Sequence, residues 1–124
     1  MTAKRVLVVD DNDLVRLAVS AMVKECGHYA VEARNVVAAL AAGQGEPVDL
    51  VITDNCMPRA GDGIEVIQYF NRRHGQRLPI ILHSSDVPHD LNTLLDVFPQ
   101  VTFVMKANSA QSTLMDTIRE KLPL

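Results

Sequence analysis

The 124-residue chain predicts an α/β fold: a doubly wound, five-stranded parallel sheet with helices on both faces. Three observations carry that expectation. Short apolar runs alternate five times with segments of helical period, the clearest runs are apolar at consecutive rather than alternate positions, and the runs give way to polar or charged residues. Continuously apolar strands suit a sheet buried on both faces, which parallel crossovers produce, and the crossovers are expected to be right-handed. The length fits one domain spanning 1–124, with no separate effector domain expected.

The elements follow in order. Residues 4–11 form the first strand candidate, apolar from Val6 to Val9 and ending in Asp10 and Asp11. Leu14, Leu17, Ala18, Ala21 and Met22 fall at helical spacing, with Asn12 or Asp13 as N-cap and Gly27 as the left-handed stop. Residues 29–33 read as a second strand, 35–42 as a short Ala-rich helix stopped by Gly43, and 48–53 as a third strand ending at Asp54. After a loop over 55–62, Ile64, Ile67 and Phe70 lie on a helix ended by Gly75. Residues 79–83 form a fourth strand opening with Pro79, where a missing N–H costs least. A polar loop at 84–86, a short helix over 88–98, a fifth strand over 101–105 and a last helix over 108–122, with Asn108 and Gln111 at capping-box spacing, complete the pattern.

Composition excludes several classes of function. Twelve basic against fifteen acidic residues give a net charge of −3, which disfavours direct nucleic-acid binding because phosphates require a basic face. The basic cluster Arg72, Arg73, His74 and Arg77 reads as a solvated helix C-terminus complementing the helix dipole. Cys26 and Cys56 lack CxxC spacing, so neither a zinc site nor a disulfide framework is expected. No apolar run is long enough to span a membrane, and Met1 to Arg5 leads into only four apolar residues before Asp10, so no signal peptide is readable and a cytoplasmic location is expected.

Ligands of open parallel sheets bind beyond the carboxyl ends of the strands. There the chain places Asp10 and Asp11 after the first strand, Asp54 after the third, Ser84 after the fourth and Lys106 after the fifth. Three crowded carboxylates repel one another unless a cation neutralises them, and carboxylate oxygens suit Mg2+. A lysine and a hydroxyl nearby suit a phosphoryl group, one as point charge and the other as hydrogen-bond donor. Phosphoryl transfer is the chemistry expected.

With those residues in place, the chain resembles the receiver domain of two-component response regulators, in the stand-alone form of the chemotaxis regulators. The resemblance rests on Val6-Leu7-Val8-Val9-Asp10-Asp11-Asn12, Val51-Ile52-Thr53-Asp54, Met57-Pro58, Asp62-Gly63, Leu78-Pro79-Ile80-Ile81 before Ser84, and Lys106 after Phe103. Ser84 lies 30 positions after Asp54 and Lys106 a further 22 on, the family's intervals. The resemblance implies a flavodoxin-like sheet in the order 2-1-3-4-5. It implies Asp54 as the phosphorylated nucleophile, and Mg2+ held by Asp11, Asp54 and the backbone carbonyl of Cys56, with Asp10 acting through water. Lys106 would pair with a phosphoryl oxygen, and Ser84 and Phe103 would form the switch. The partners implied are a sensor histidine kinase or phosphotransfer protein and a downstream protein target, with no direct contact to nucleic acid or membrane. A monomer or weak dimer that phosphorylates and dephosphorylates itself, without turning over a metabolite, is expected.

The chain departs from the family pattern in places. Ala107 stands where proline usually follows the lysine; a non-proline cis bond costs about 3 to 4 kcal/mol, so a trans link and an altered loop are expected. The segment from Met57 to Gly63 is one residue longer than usual, and Phe98-Pro99-Gln100 replaces the usual Gly-Ala, predicting an atypical fourth helix. His83 reads as a satisfied core or rim histidine and Cys56 as filler of a small site. Two further readings stay open. Asp11-Asn12-Asp13-Leu14-Val15 is similar to the nucleophile motif of haloacid-dehalogenase-like phosphatases, and a degenerate receiver could bind partners without phosphorylation.

Overall fold

The computed structural model describes residues 3–106 and 110–124, with the backbone alone at 110–112. The strands are β1 Arg5–Val9, β2 Tyr29–Ala33, β3 Leu50–Thr53, β4 Ile80–Ser84 and β5 Val101–Met105. The helices are α1 Asp13–Glu25, α2 Val36–Gly43, α3 Asp62–His74, α4 Leu91–Val97 and α5 Ala110–Lys121. All strand pairs are parallel, in the order β2-β1-β3-β4-β5. Both the alternation and the strand order match expectation. The Lys106–Ala107 link and the Asn108–Gln111 cap lie outside the described residues.

Consecutive apolar positions are explained by two cores, one on each face of the sheet. Leu7, Val9, Val51, Ile80 and Leu82 join Ala39 of α2, Val66, Ile67 and Phe70 of α3, and Leu94 of α4. Val6, Val8, Leu50, Ile52 and Ile81 join Val19, Met22 and Val23 of α1 and Leu114 and Ile118 of α5. Each strand residue therefore packs against one layer and its neighbour against the other, because side chains alternate along a strand.

The structure corrects several local expectations. Helix α1 buries Val19, Met22 and Val23, while Leu14 and Leu17 are 80% and 55% exposed and Ala18 and Ala21 also face solvent. The helix carries two apolar stripes, and the sheet takes the one rich in β-branched residues. Gly43 is the last residue of α2 and no left-handed stop; a Cβ there would come within 2.7 Å of the Tyr69 ring and 2.8 Å of the Phe70 ring. Close helix packing, not backbone freedom, requires glycine at that position. Val48 and Asp49 precede β3, with the Asp49 carboxylate accepting from the Arg5 N–H at 2.9 Å. Helix α4 is shorter than predicted, beginning only at Leu91. Among the described residues no helix is long and apolar enough to cross a membrane.

Candidate functional site

The carboxyl ends of β1, β3, β4 and β5 open on a cleft of about 560 Å3 that collects Asp10, Asp11, Asp54, Cys56, Ser84 and Lys106. One carboxylate oxygen from each of Asp10, Asp11 and Asp54 lies within 4.8 Å of the other two. Asp10 and Asp54 are buried and Asp11 is exposed, so the trio runs from the sheet edge to solvent. These are hard oxygen donors with one water-facing side, the donor chemistry that fits Mg2+.

Lys106 closes the inner wall. Its Nζ lies 2.7 Å from Asp10 Oδ2 and 3.2 Å from Asp54 Oδ2. Burial works against the ammonium, but the hydrogen bond and attraction from Asp10, followed by Asp54, hold its pKa above the ordinary lysine value. Burial lifts the Asp54 carboxyl above the usual carboxylate range; Lys106 pulls it back and Asp10 pushes it further up. Asp54 Oδ1 accepts from the Asn55 N–H at 2.8 Å, which orients the carboxylate. Asp10 Oδ1 accepts from the Asn12 N–H at 2.9 Å.

Ser84 is buried at the end of β4, its Oγ accepting from the Asp86 N–H at 3.4 Å, and its carbonyl accepts from the Lys106 N–H at 2.8 Å. Phe103 is half-buried on β5, paired in register with Leu82 and packed on the larger core, away from the cleft. Cys56 corrects its reading as a filler: it is exposed, with Sγ donating to the Pro58 carbonyl at 2.6 Å. The longer loop is closed by an isolated bridge between Cys56 and Ala60 and by Gly61 at φ 94°, with a cis peptide at Met57–Pro58. His83 is buried beside this wall, and no described residue hydrogen-bonds its ring. Burial, reinforced by Lys106 and opposed by Asp10, lowers its pKa to about 4.

Two residues that carry the site were missed as such. Gly63 sits so close to β3 that a Cβ would fall 2.3 Å from the Asp54 carbonyl, and its N–H donates to the Asn55 carbonyl at 3.0 Å. Asp62 before it accepts from the Arg59 N–H at 3.0 Å, so the Asp62-Gly63 pair seats the start of α3 against the acceptor loop. Arg16 binds the Asp10 carbonyl at 2.9 Å and Asp13 at 2.7 Å. Asp13 pairs with Arg16 in the first turns of α1 and is not among the residues that line the cleft, unlike Asp11.

The sequence profile of the family described as response regulator receiver domain matches residues 6–119. The chain belongs to that family. Response regulator RR06 of Streptococcus pneumoniae is 31% identical over 80 residues, covering 64% of this chain and 36% of that protein. The chain spans 36% or less of the length of the curated relatives it matches. Among solved structures, Vibrio cholerae chemotaxis protein CheY4 superposes with a TM-score of 0.84 at 23% identity, covering 98% of this chain and 100% of that one. Response regulator TrrA of Thermotoga maritima, solved in complex with Mg2+ and BeF, gives a TM-score of 0.81 at 26% identity, covering 96% and 99%. The chain is therefore a receiver domain of two-component systems, and its five strand–helix repeats around one parallel sheet are the receiver fold.

Proposed function

We propose that this receiver takes a phosphoryl group onto Asp54 and uses the modification to change a protein-binding surface. The observation that carries the reading is the position of Lys106, between the Asp10 and Asp54 carboxylates and facing a cleft that also holds Asp11 and Ser84. An Asp54 carboxylate oxygen forms a bond to phosphorus while the phosphorus–nitrogen bond of a donor phosphohistidine breaks. The histidine nitrogen leaves with the electron pair and is protonated from water. The product is an acyl phosphate, later hydrolysed by water to phosphate and free carboxylate.

Asp11 and Asp54, with the Cys56 carbonyl, would hold Mg2+, and Asp10 would act through water; the ion supplies positive charge that offsets the charge on the transferring group. The Asn55 N–H keeps Asp54 Oδ1 oriented, leaving the other oxygen to Lys106. When phosphate arrives, Lys106 exchanges its Asp54 contact for a phosphoryl oxygen and the Ser84 hydroxyl donates to another. That bond draws the β4 loop inward, and Phe103 turns into the vacated space. The donor is a sensor histidine kinase or phosphotransfer protein and the receiver of the signal is another protein. The chain turns over no metabolite and works in the cytoplasm, where two-component phosphotransfer takes place.

Intact-mass spectrometry after incubation with acetyl phosphate tests the reading. A gain of one labile phosphoryl group that needs Mg2+ and is absent from Asp54→Asn is the expected outcome. No gain in the wild type, or a gain retained by Asp54→Asn, overturns it; the first result leaves a receiver that binds partners unmodified.

A further inference from the structure

We infer that Arg16 is a positioning residue for the acidic pair, fixing the angle at which Asp10 and Asp11 face a divalent cation. The inference rests on the metal-assisted reading of the cleft. The Arg16 side chain as a whole is 13% exposed, and its guanidinium bonds to three elements at once. Nη1 donates to the Asp10 carbonyl at the end of β1 at 2.9 Å, Nε to Glu32 of β2 at 3.0 Å, and Nη2 to Asp13 in the first turn of α1 at 2.7 Å. A planar fork of donors held at three points has one orientation.

The consequence falls on Asp10, all of whose polar groups are engaged. Its N–H donates to the Ala33 carbonyl at 3.1 Å, its carbonyl accepts from Arg16, and its carboxylate oxygens take the Asn12 N–H and Lys106. The carbonyl that Arg16 holds belongs to the peptide linking Asp10 to Asp11. Rotating that peptide would swing Asp11, the exposed member of the trio, away from Asp54. Arg16 therefore governs a ligand it never touches. Glu32 and Asp13 supply counter-charge to the guanidinium, which keeps it from competing with the cation for the acidic pair.

Partners in the outer layer of metal sites typically change affinity by about 10-fold to 100-fold when removed. The test is isothermal titration of the full chain with Mg2+ alone, on the wild type, Arg16→Ala and Arg16→Lys. Arg16→Ala is expected to raise the Mg2+ dissociation constant at least about 10-fold, with phosphoryl uptake from acetyl phosphate recovering at saturating Mg2+. Arg16→Lys, which keeps charge but loses the fork, is expected to fall between. Should Arg16→Ala fail to fold, Arg16→Lys carries the test. A folded variant with Mg2+ affinity within about twofold of wild type overturns the inference and leaves Arg16 a clamp between α1, β1 and β2. A wild type that binds no Mg2+ overturns both this role and the metal-assisted reading, whereas Mg2+ binding that is equal in wild type and variants sinks the role alone.

Discussion

Individual side chains here act mainly through what they exclude. Gly63 has no Cβ because the Asp54 carbonyl occupies that space at 2.3 Å. Gly63→Ala is expected to destabilise the domain by about 1 to 3 kcal/mol, the range for overpacking, and to lower phosphoryl uptake by displacing the acceptor loop; urea denaturation and intact mass read the two effects. His83 makes the opposite kind of demand. Its pKa of about 4 means that the folded protein refuses a proton which the unfolded chain accepts near pH 6.5. The folded form is thus favoured above pH 6.5 and loses stability as pH falls towards 4, by about 3 kcal/mol at most. His83→Leu is expected to remove that part of the loss, so that stability curves of variant and wild type converge or cross in this window. Parallel curves between pH 7 and 4 would contradict the assignment. Both residues stood out in the sequence, Gly63 as half of a motif and His83 as a polar break in an apolar strand, yet neither signal said what surrounds them.

At the scale of elements, strands were more legible than helix faces. β2 and β5 have the bounds expected, because turn residues bracket short apolar runs, and β4 is displaced by one residue to include Ser84. Helix α1 was misread because it offers two apolar stripes, and only the sheet it meets decides between them. The choice has a measurable consequence. Leu17→Ala on the exposed stripe is expected to change stability by no more than about 0.5 kcal/mol, while Met22→Ala on the buried stripe costs about 2 to 5 kcal/mol in chemical denaturation. Equal effects would mean that the assigned faces are wrong. The late start of α4 was likewise hidden, since residues 87–90 carry no signal stronger than Pro88, and a proline is as welcome in a helix's first turn as in a loop before it.

For the whole molecule, the C-terminal strand rim was legible because a parallel sheet sends every strand's end to the same edge. Asp10, Asp11, Asp54, Ser84 and Lys106 met there as the spacing predicts. What spacing could not supply was the pairing within the cleft: that Lys106 would rest on Asp10 and Asp54 together, or that Arg16 would reach back from α1. A cation bound by the trio links ends of β1 and β3 in the folded state alone, so Mg2+ at a hundred times its dissociation constant is expected to stabilise the domain by about 2.7 kcal/mol. Thermal unfolding with and without Mg2+ measures this, and an unchanged midpoint would count against a site formed by the three acids. The order of the chain adds one consequence. The acids arrive early in synthesis and their counter-charge, Lys106, arrives last, on the strand at the far edge. The acidic trio therefore gains its protein counter-charge only when β5 joins the sheet.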